Sequence, residues 1–302
     1  MKSYEQIFRL NRRTTIFGAL SRGVAAFVAS VSGQSPKGRE DDQATDGRDA
    51  TSLGSVTPTR TSVHVPKRVA SVKQPMSSQK YHATERPQAK SVSEIVEFLI
   101  TNFVRHEAIL SCLNVESESS RNELELMLTD MVQDCIQCTS TNIVRCPSTG
   151  KINGVCLASK AALFDAQMDR LCEYSFSNER LTTAIEFLKY VFNRLDVEYH
   201  FEEHKVTKPI FVALVSVRKE FWNQGIGNAM LESCIIAAKE DRCDGAIALA
   251  SNSRACQLIN SLFPVTLQSI KYDTFRGQYK SPPIVPDKNE PQRAMYVMLS
   301  RF

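Results

Sequence analysis

The sequence predicts an α/β (α+β) fold, a mixed central sheet of about seven strands with helices on both faces. Two observations predict it. Between Ile210 and Phe263 a short apolar run, a glycine-bearing turn, a helical pattern, a second apolar run and a second helical pattern follow without a break. That is the rhythm of strands alternating with helices in a partly parallel sheet. Upstream, two strand-like runs joined by a turn sit among stretches whose apolar residues recur at helical spacing.

In order along the chain, regular structure is expected to begin near Gln79, with Lys80 to Thr84 as a first strand. Ser91 and Glu94 form a Ser-x-x-Glu capping box before Ile95, Val96, Leu99 and Phe103 on one helical face. A second helix, capped by Ser120 with Glu123, carries Leu124, Leu128, Met131 and Cys135. A hairpin follows, Asn142 to Arg145 and Ile152 to Ser159, joined through Pro147-Ser148-Thr149-Gly150. A third helix, about Asn178 to Leu195, repeats Leu181, Ile185, Leu188 and Phe192. His200 and His204 flank Phe-Glu-Glu in what reads as the lead-in to a strand, so they are not expected to coordinate an ion. After the block from Ile210 to Phe263, two final strands fit Val265 to Phe275 and Ala294 to Ser300, with Pro282, Pro283 and Pro286 between them.

Charge is unevenly spread. Residues 1–90 carry 15 Lys/Arg against 7 Asp/Glu, and residues 91–302 carry 22 against 26, so the basic excess belongs to the N-terminal part. Residues 1–78 read as a basic appendage and 79–302 as the folded domain. Residues 1–33 bear Arg and almost no acid, which fits either a mitochondrial targeting segment or a plain extension. Gln34 to Met76 is too poor in large apolar residues to offset chain entropy, so disorder is expected there. It also lacks aromatics for base stacking, and nucleic acid is not an expected partner. No apolar run is long enough for a membrane span. All nine cysteines lie between Cys112 and Cys256, an odd count in largely apolar surroundings, and there is no Asn-x-Ser/Thr sequon. Both features favour a reducing compartment, and a cytoplasmic monomer is expected. Cys135-x-x-Cys138 with Cys146 lacks a fourth ligand at zinc-site spacing, so no metal is expected.

The turn Gln224-Gly225-Ile226-Gly227-Asn228, with Ala229 already in the helical pattern, points backbone N–H groups at the mouth of a helix. Such a mouth carries about half a positive charge and suits a diphosphate. Two glycines alone serve a tight turn and a close helix contact just as well.

The order of elements and this turn resemble the acyl-CoA-binding core of the GCN5-related N-acetyltransferase (GNAT) superfamily, whose signature is Arg/Gln-x-x-Gly-x-Gly/Ala after the fourth strand. Here the window reads Trp222-Asn223-Gln224-Gly225-Ile226-Gly227, with Trp222 where Arg or Gln is usual. The upstream stretch EFLITNFVRHEAILSCLNV is similar to invertebrate arylalkylamine (dopamine-type) N-acetyltransferases, where Glu-Pro-Leu-Asn follows a comparable helix. Glu107 falls on that glutamate, and Ala108 replaces the proline. The resemblance spans about residues 79–302. It implies a sheet splayed at the fourth and fifth strands, acetyl-CoA as co-substrate, and a small primary amine as acceptor. Glu107 is then the general base, with His106 as a minor candidate. Val215, Ser216 and Val217 offer backbone groups to the pantetheine arm, Trp222 to Ala229 hold the diphosphate, and Asn252 bonds a pantetheine amide. Asn252 equally suits the cap of the helix after it. Ser251 and Ser253 fall near the catalytic serines of the dopamine-type relatives. The fourth-helix tyrosine that many relatives use as acid is replaced by Ile259.

An amine with a pKa of about 10.4 is neutral in roughly one molecule in a few thousand at pH 7, so a carboxylate that takes its proton matters. The departures at Trp222, Ala108 and Ile259 leave a second reading, a weak or inactive acyl-CoA-binding or interaction module.

Overall fold

The computed structural model of the chain describes residues 83–115, 118–160, 173–174, 176–277 and 283–302. The appendage assigned to residues 1–78 lies outside them. Seven strands, β1 (Thr84–Glu85), β2 (Asn142–Arg145), β3 (Ile152–Lys160), β4 (Pro209–Val217), β5 (Gly245–Ala250), β6 (Val265–Lys271) and β7 (Ala294–Arg301), form one sheet in the order β1-β2-β3-β4-β5-β7-β6. β4 and β5 run parallel, and the other neighbours run antiparallel. The mixed, GNAT-like sheet expected from the sequence is the one observed.

Helices cover both faces. α1 (Val92–Phe98) continues through a π-helical stretch (Leu99–Phe103) into a last turn (Val104–His106), and the short α2 (Ala108–Cys112) follows. With α3 (Glu118–Cys135) and α4 (Glu179–Arg194), α1 buries Ile95, Leu99, Leu124, Leu128, Leu181 and Phe187 on one face of the sheet. On the other face, α6 (Ile226–Glu240) and α7 (Ser253–Asn260) bury Met230, Leu231, Cys234, Ile259 and Phe263. α5 (Val197–Glu203) leads into β4.

Several local expectations are corrected. Ser91 is buried in a 3-10 turn (Ala89–Ser91) with helical angles (φ −84, ψ −6) that keep its hydroxyl from capping, and Glu94 pairs with Arg145 at 2.7 Å instead of reaching back. Ser120 lies inside α3 and donates to the Val115 carbonyl, while Glu123 accepts from Ser177 and Asn178. Of the first strand only Thr84 and Glu85 pair, and residues 80–82 lie outside the described set. The His200 region is helical. The hairpin stands as expected, and α4 is capped by Asn178, whose Oδ1 accepts from Arg180 and Leu181.

The feature that positions the site is a bulge in β4. Leu157 of β3 pairs with Leu214 and Ala158 with Val212, leaving Ala213 extra. The bulge bends β4. β4 pairs with β5 only over Pro209–Val212, so from Ala213 onward its far edge is unpaired and a cleft opens between the two strand ends.

Candidate active site

A cleft of about 540 Å³ occupies this splay, within the usual range for small-molecule sites. Its floor is the end of β4. Arg218 donates its N–H to the Asn153 carbonyl of β3 (2.8 Å). Strand alternation then turns the backbone groups of Ser216 toward β3 too, and those of Val215 and Val217 toward the cleft. The free edge is thus carried by Val215 and Val217. Ser216 lines the cleft but its main-chain N–H serves the sheet.

At one end of the cleft sits the α6 mouth. Gly225 caps α6 with φ +82, and Asn223 also has positive φ (61). The first helical bond is Ala229 N–H to the Gly225 carbonyl (3.0 Å). That bond takes Ala229 out of the cradle and leaves the N–H groups of Ile226, Gly227 and Asn228 as the helix's opening donors. All three residues line the cleft with Asn223 and Gly225; Gln224 does not, its amide donating to the Glu220 carbonyl at 3.2 Å. Gly227 serves packing as well, since a Cβ there would come within 3.1 Å of Leu258.

Trp222 lies across this end. Its indole N–H donates to the Val217 carbonyl (2.7 Å), and the Arg254 guanidinium sits 4.3 Å from its ring centroid. The His106 ring meets it edge-on at 5.0 Å. Where the resemblance led one to expect a cation within the turn, a cation arrives from α7 instead. Sequence reading gave Arg254, the residue after Ser253, no part in holding the cofactor. Ile259, in the place of the usual tyrosine, is a core residue.

Glu107, next to His106, also lines the cleft. The π-helical stretch widens the helix before it, with Asn102 donating to the Phe98 carbonyl at 3.0 Å. The chain then turns extended at Glu107 (φ −71, ψ 133), which becomes the cap of α2. Its Oε2 accepts from the Ile109 and Leu110 N–H groups, both at 2.8 Å. Ala108 holds the first helical position, where proline and alanine both fit, so the cap survives that departure. Burial pushes the Glu107 carboxyl above its usual range, opposed by hydrogen bonds from the Leu110 amide, the Ser251 side chain and the Ile109 and Ala108 amides.

Glu107 and Ser251 thus converge from elements far apart in sequence. The Ser251 carbonyl accepts the buried Tyr272 hydroxyl, which fixes the β5–α7 junction. Asn252 lines the cleft and caps α7 by accepting from Ala255 N–H at 2.8 Å. Ser253 is not brought to the cleft: its N–H and hydroxyl both donate to Glu290, at 2.9 and 3.2 Å. Beyond Glu107 the wall is made by Phe103, Met127, Met131, Phe192 and Phe211 with the polar pair Asp130 and Tyr174. Sequence reading placed Met131 and Phe192 in helical stripes and did not foresee this wall.

Residues 190–262 match the acetyltransferase (GNAT) family model. Among solved structures, the chain is similar to arylalkylamine N-acetyltransferase 2 from Aedes aegypti, with 17% identity, a TM-score of 0.58, and coverage of 72% of this chain and 98% of that one. It is also similar to Drosophila melanogaster polyamine N-acetyltransferase, with 10% identity, a TM-score of 0.57 and coverage of 73% and 99%. A mosquito arylalkylamine N-acetyltransferase-like protein, 5b, gives 13%, 0.58, 73% and 99%. No curated protein sequence matches the chain significantly. The fold is therefore that of the GNAT acetyltransferases. Among the described residues, no helix is long and apolar enough to cross a membrane.

Proposed function

We propose that the chain is an acetyl-CoA-dependent N-acetyltransferase acting on the primary amine of a small molecule of the arylalkylamine type, by direct attack in a ternary complex. One observation carries this reading: the Glu107 carboxyl and the open N–H groups of α6 face a single cleft floored by the unpaired edge of β4. In this reading the α6 mouth and Arg254 hold the diphosphate. Val215 and Val217 offer main-chain groups to the pantetheine arm and the thioester oxygen, where a fixed N–H stabilises the charge that develops on attack. Glu107, as carboxylate, takes a proton from the ammonium, and the amine nitrogen bonds the acyl carbon as the C–S bond breaks. Ser251 orients the carboxylate. The thiolate leaves without a tyrosine at position 259. The aromatic and methionine side chains beyond Glu107 suit an aryl group.

The second reading, a binding module with little or no turnover, is favoured by the Trp222 indole, which already satisfies the Val217 carbonyl on the cofactor edge. Turnover of acetyl-CoA against a panel of arylalkylamines, alkyl diamines and amino acids separates the two. Thioester consumption stimulated most by arylalkylamines supports the first. Saturable acetyl-CoA binding with no amine-dependent turnover selects the second.

A further inference from the structure

α5 places His200, Glu203 and His204 at i, i+3 and i+4, positions that share one face of a helix. Glu203 Oε2 lies 3.7 Å from His200 Nδ1 and 3.9 Å from His204 Nε2. One ligand atom from each residue falls within 4.8 Å of the others. His200 Nδ1 is enclosed and has no hydrogen-bond partner. Such an unsatisfied buried nitrogen is costly to the fold. The Glu203 carboxylate that encloses it stays beyond hydrogen-bond distance.

We propose that these three side chains bind a divalent transition-metal ion of the zinc class, with water completing the coordination. Two imidazoles and a carboxylate are the ligand set such an ion takes when three protein groups hold it. Bonds of about 2.0–2.2 Å to a tetrahedral centre require ligand atoms about 3.4 Å apart. The two pairs that include Glu203 are within half an ångström of that separation. Side-chain rotation closes the rest, since Glu203 and His204 are 49% and 29% exposed.

The sequence pattern concealed this site because a strand would set His200 and His204 about 13 Å apart, four residues at about 3.3 Å each. One helical turn brings them together instead. None of the three residues lines the cleft. The site stands at the end of α5, where Lys205 turns left-handed (φ 55) and Val206 N–H bonds the Phe201 carbonyl (2.9 Å) just before β4. An ion there ties together the last turn of α5 and its cap residue His204, and takes no part in acyl transfer.

Zinc titration of the full chain by calorimetry, paralleled by cobalt substitution, tests the proposal. One equivalent should bind. The His200→Ala/His204→Ala double variant should lose affinity by more than about tenfold, with Glu203→Gln intermediate. Zinc should raise the Tm of the wild type and not of the double variant. The bound cobalt should show no thiolate charge-transfer band, which separates this site from the cysteines. Titrations of wild type and both variants that coincide, or a cobalt spectrum dominated by thiolate, overturn it.

Discussion

On one wall of the cleft the groups available to a ligand belong to the main chain: the N–H groups of α6 and, on the edge of β4, those of Val215 and the Val217 N–H. On the other they belong to side chains: Glu107, Ser251, Asp130 and a ring of aromatics and methionines drawn from the π-helical stretch, α3, α4 and β4. The two walls depend on the sequence differently. A main-chain site tolerates side-chain change as long as the turn and the bulge persist, so Trp222 can replace a cation while the geometry stays. A side-chain site tolerates almost none. Changes on the amine wall should therefore act on the chemical step, and changes on the cofactor wall on binding.

Glu107→Gln gives the largest contrast. Glutamine keeps an oxygen for the Ile109 and Leu110 N–H groups, so the α2 cap persists. kcat/KM should nevertheless fall about 10²–10⁴-fold, the usual worth of a general base, with acetyl-CoA Kd unchanged. Because burial raises the Glu107 pKa, the wild-type rate should fall with decreasing pH through a midpoint above the ordinary carboxylate value of about 4.3. That acid limb should vanish in the variant. The stability sign is the reverse of a salt-bridged acid. Ionising a carboxyl whose folded pKa is raised costs native stability as pH climbs from the unfolded to the folded value, so Glu107→Gln should gain on the wild type across that window. Equal losses of Kd and kcat erase the contrast between the walls.

The next comparison is between two serines two residues apart. Ser251→Ala removes a hydroxyl that helps hold the Glu107 pKa down, and kcat should fall about tenfold with the acid limb moved to higher pH. Ser253→Ala should leave kcat within about twofold, because its hydroxyl is spent on Glu290. Its effect should appear in Tm, through the loss of a bond worth about 1 kcal/mol at the start of α7. A kinetic loss at Ser253 equal to that at Ser251 puts both hydroxyls in the reaction.

These cases explain what was legible. The order of strands and helices, the β2–β3 hairpin, the α4 cap at Asn178 and the two-glycine turn follow from local pattern, and each is settled within about ten residues. The two capping boxes failed because Glu94 and Glu123 found tertiary partners, Arg145 and the 177–178 backbone. α5 failed because seven residues are too few for a period to declare itself. In the cleft, the carboxylate and the turn were visible as motifs. Arg254 over Trp222, Glu290 beneath Ser253 and Tyr272 beneath Ser251 were not, since each pair joins residues 21 to 37 positions apart.

Arg254 tests the cofactor wall at a smaller scale. Stacked on Trp222 it is exposed, so its charge reaches a diphosphate through solvent and its contribution is modest. Arg254→Ala should raise the KM for acetyl-CoA about three- to tenfold with kcat little changed, and added salt should narrow the gap between wild type and variant. Adding Trp222→Arg to Arg254→Ala should recover most of the affinity, because the turn then carries its own cation.

The smallest effect is expected from removing residues 2–78. Their basic excess is the one feature by which they could act on an anionic co-substrate at a distance, and at an ionic strength near 0.15 M that influence is screened beyond about 8 Å. Both walls of the cleft are built from residues after 100. The shortened chain should therefore keep kcat and both KM values within about twofold and keep its Tm. A KM for acetyl-CoA that rises on truncation and returns at low salt would instead assign the segment's charge to cofactor capture, adding a second cation source to a wall otherwise made of backbone.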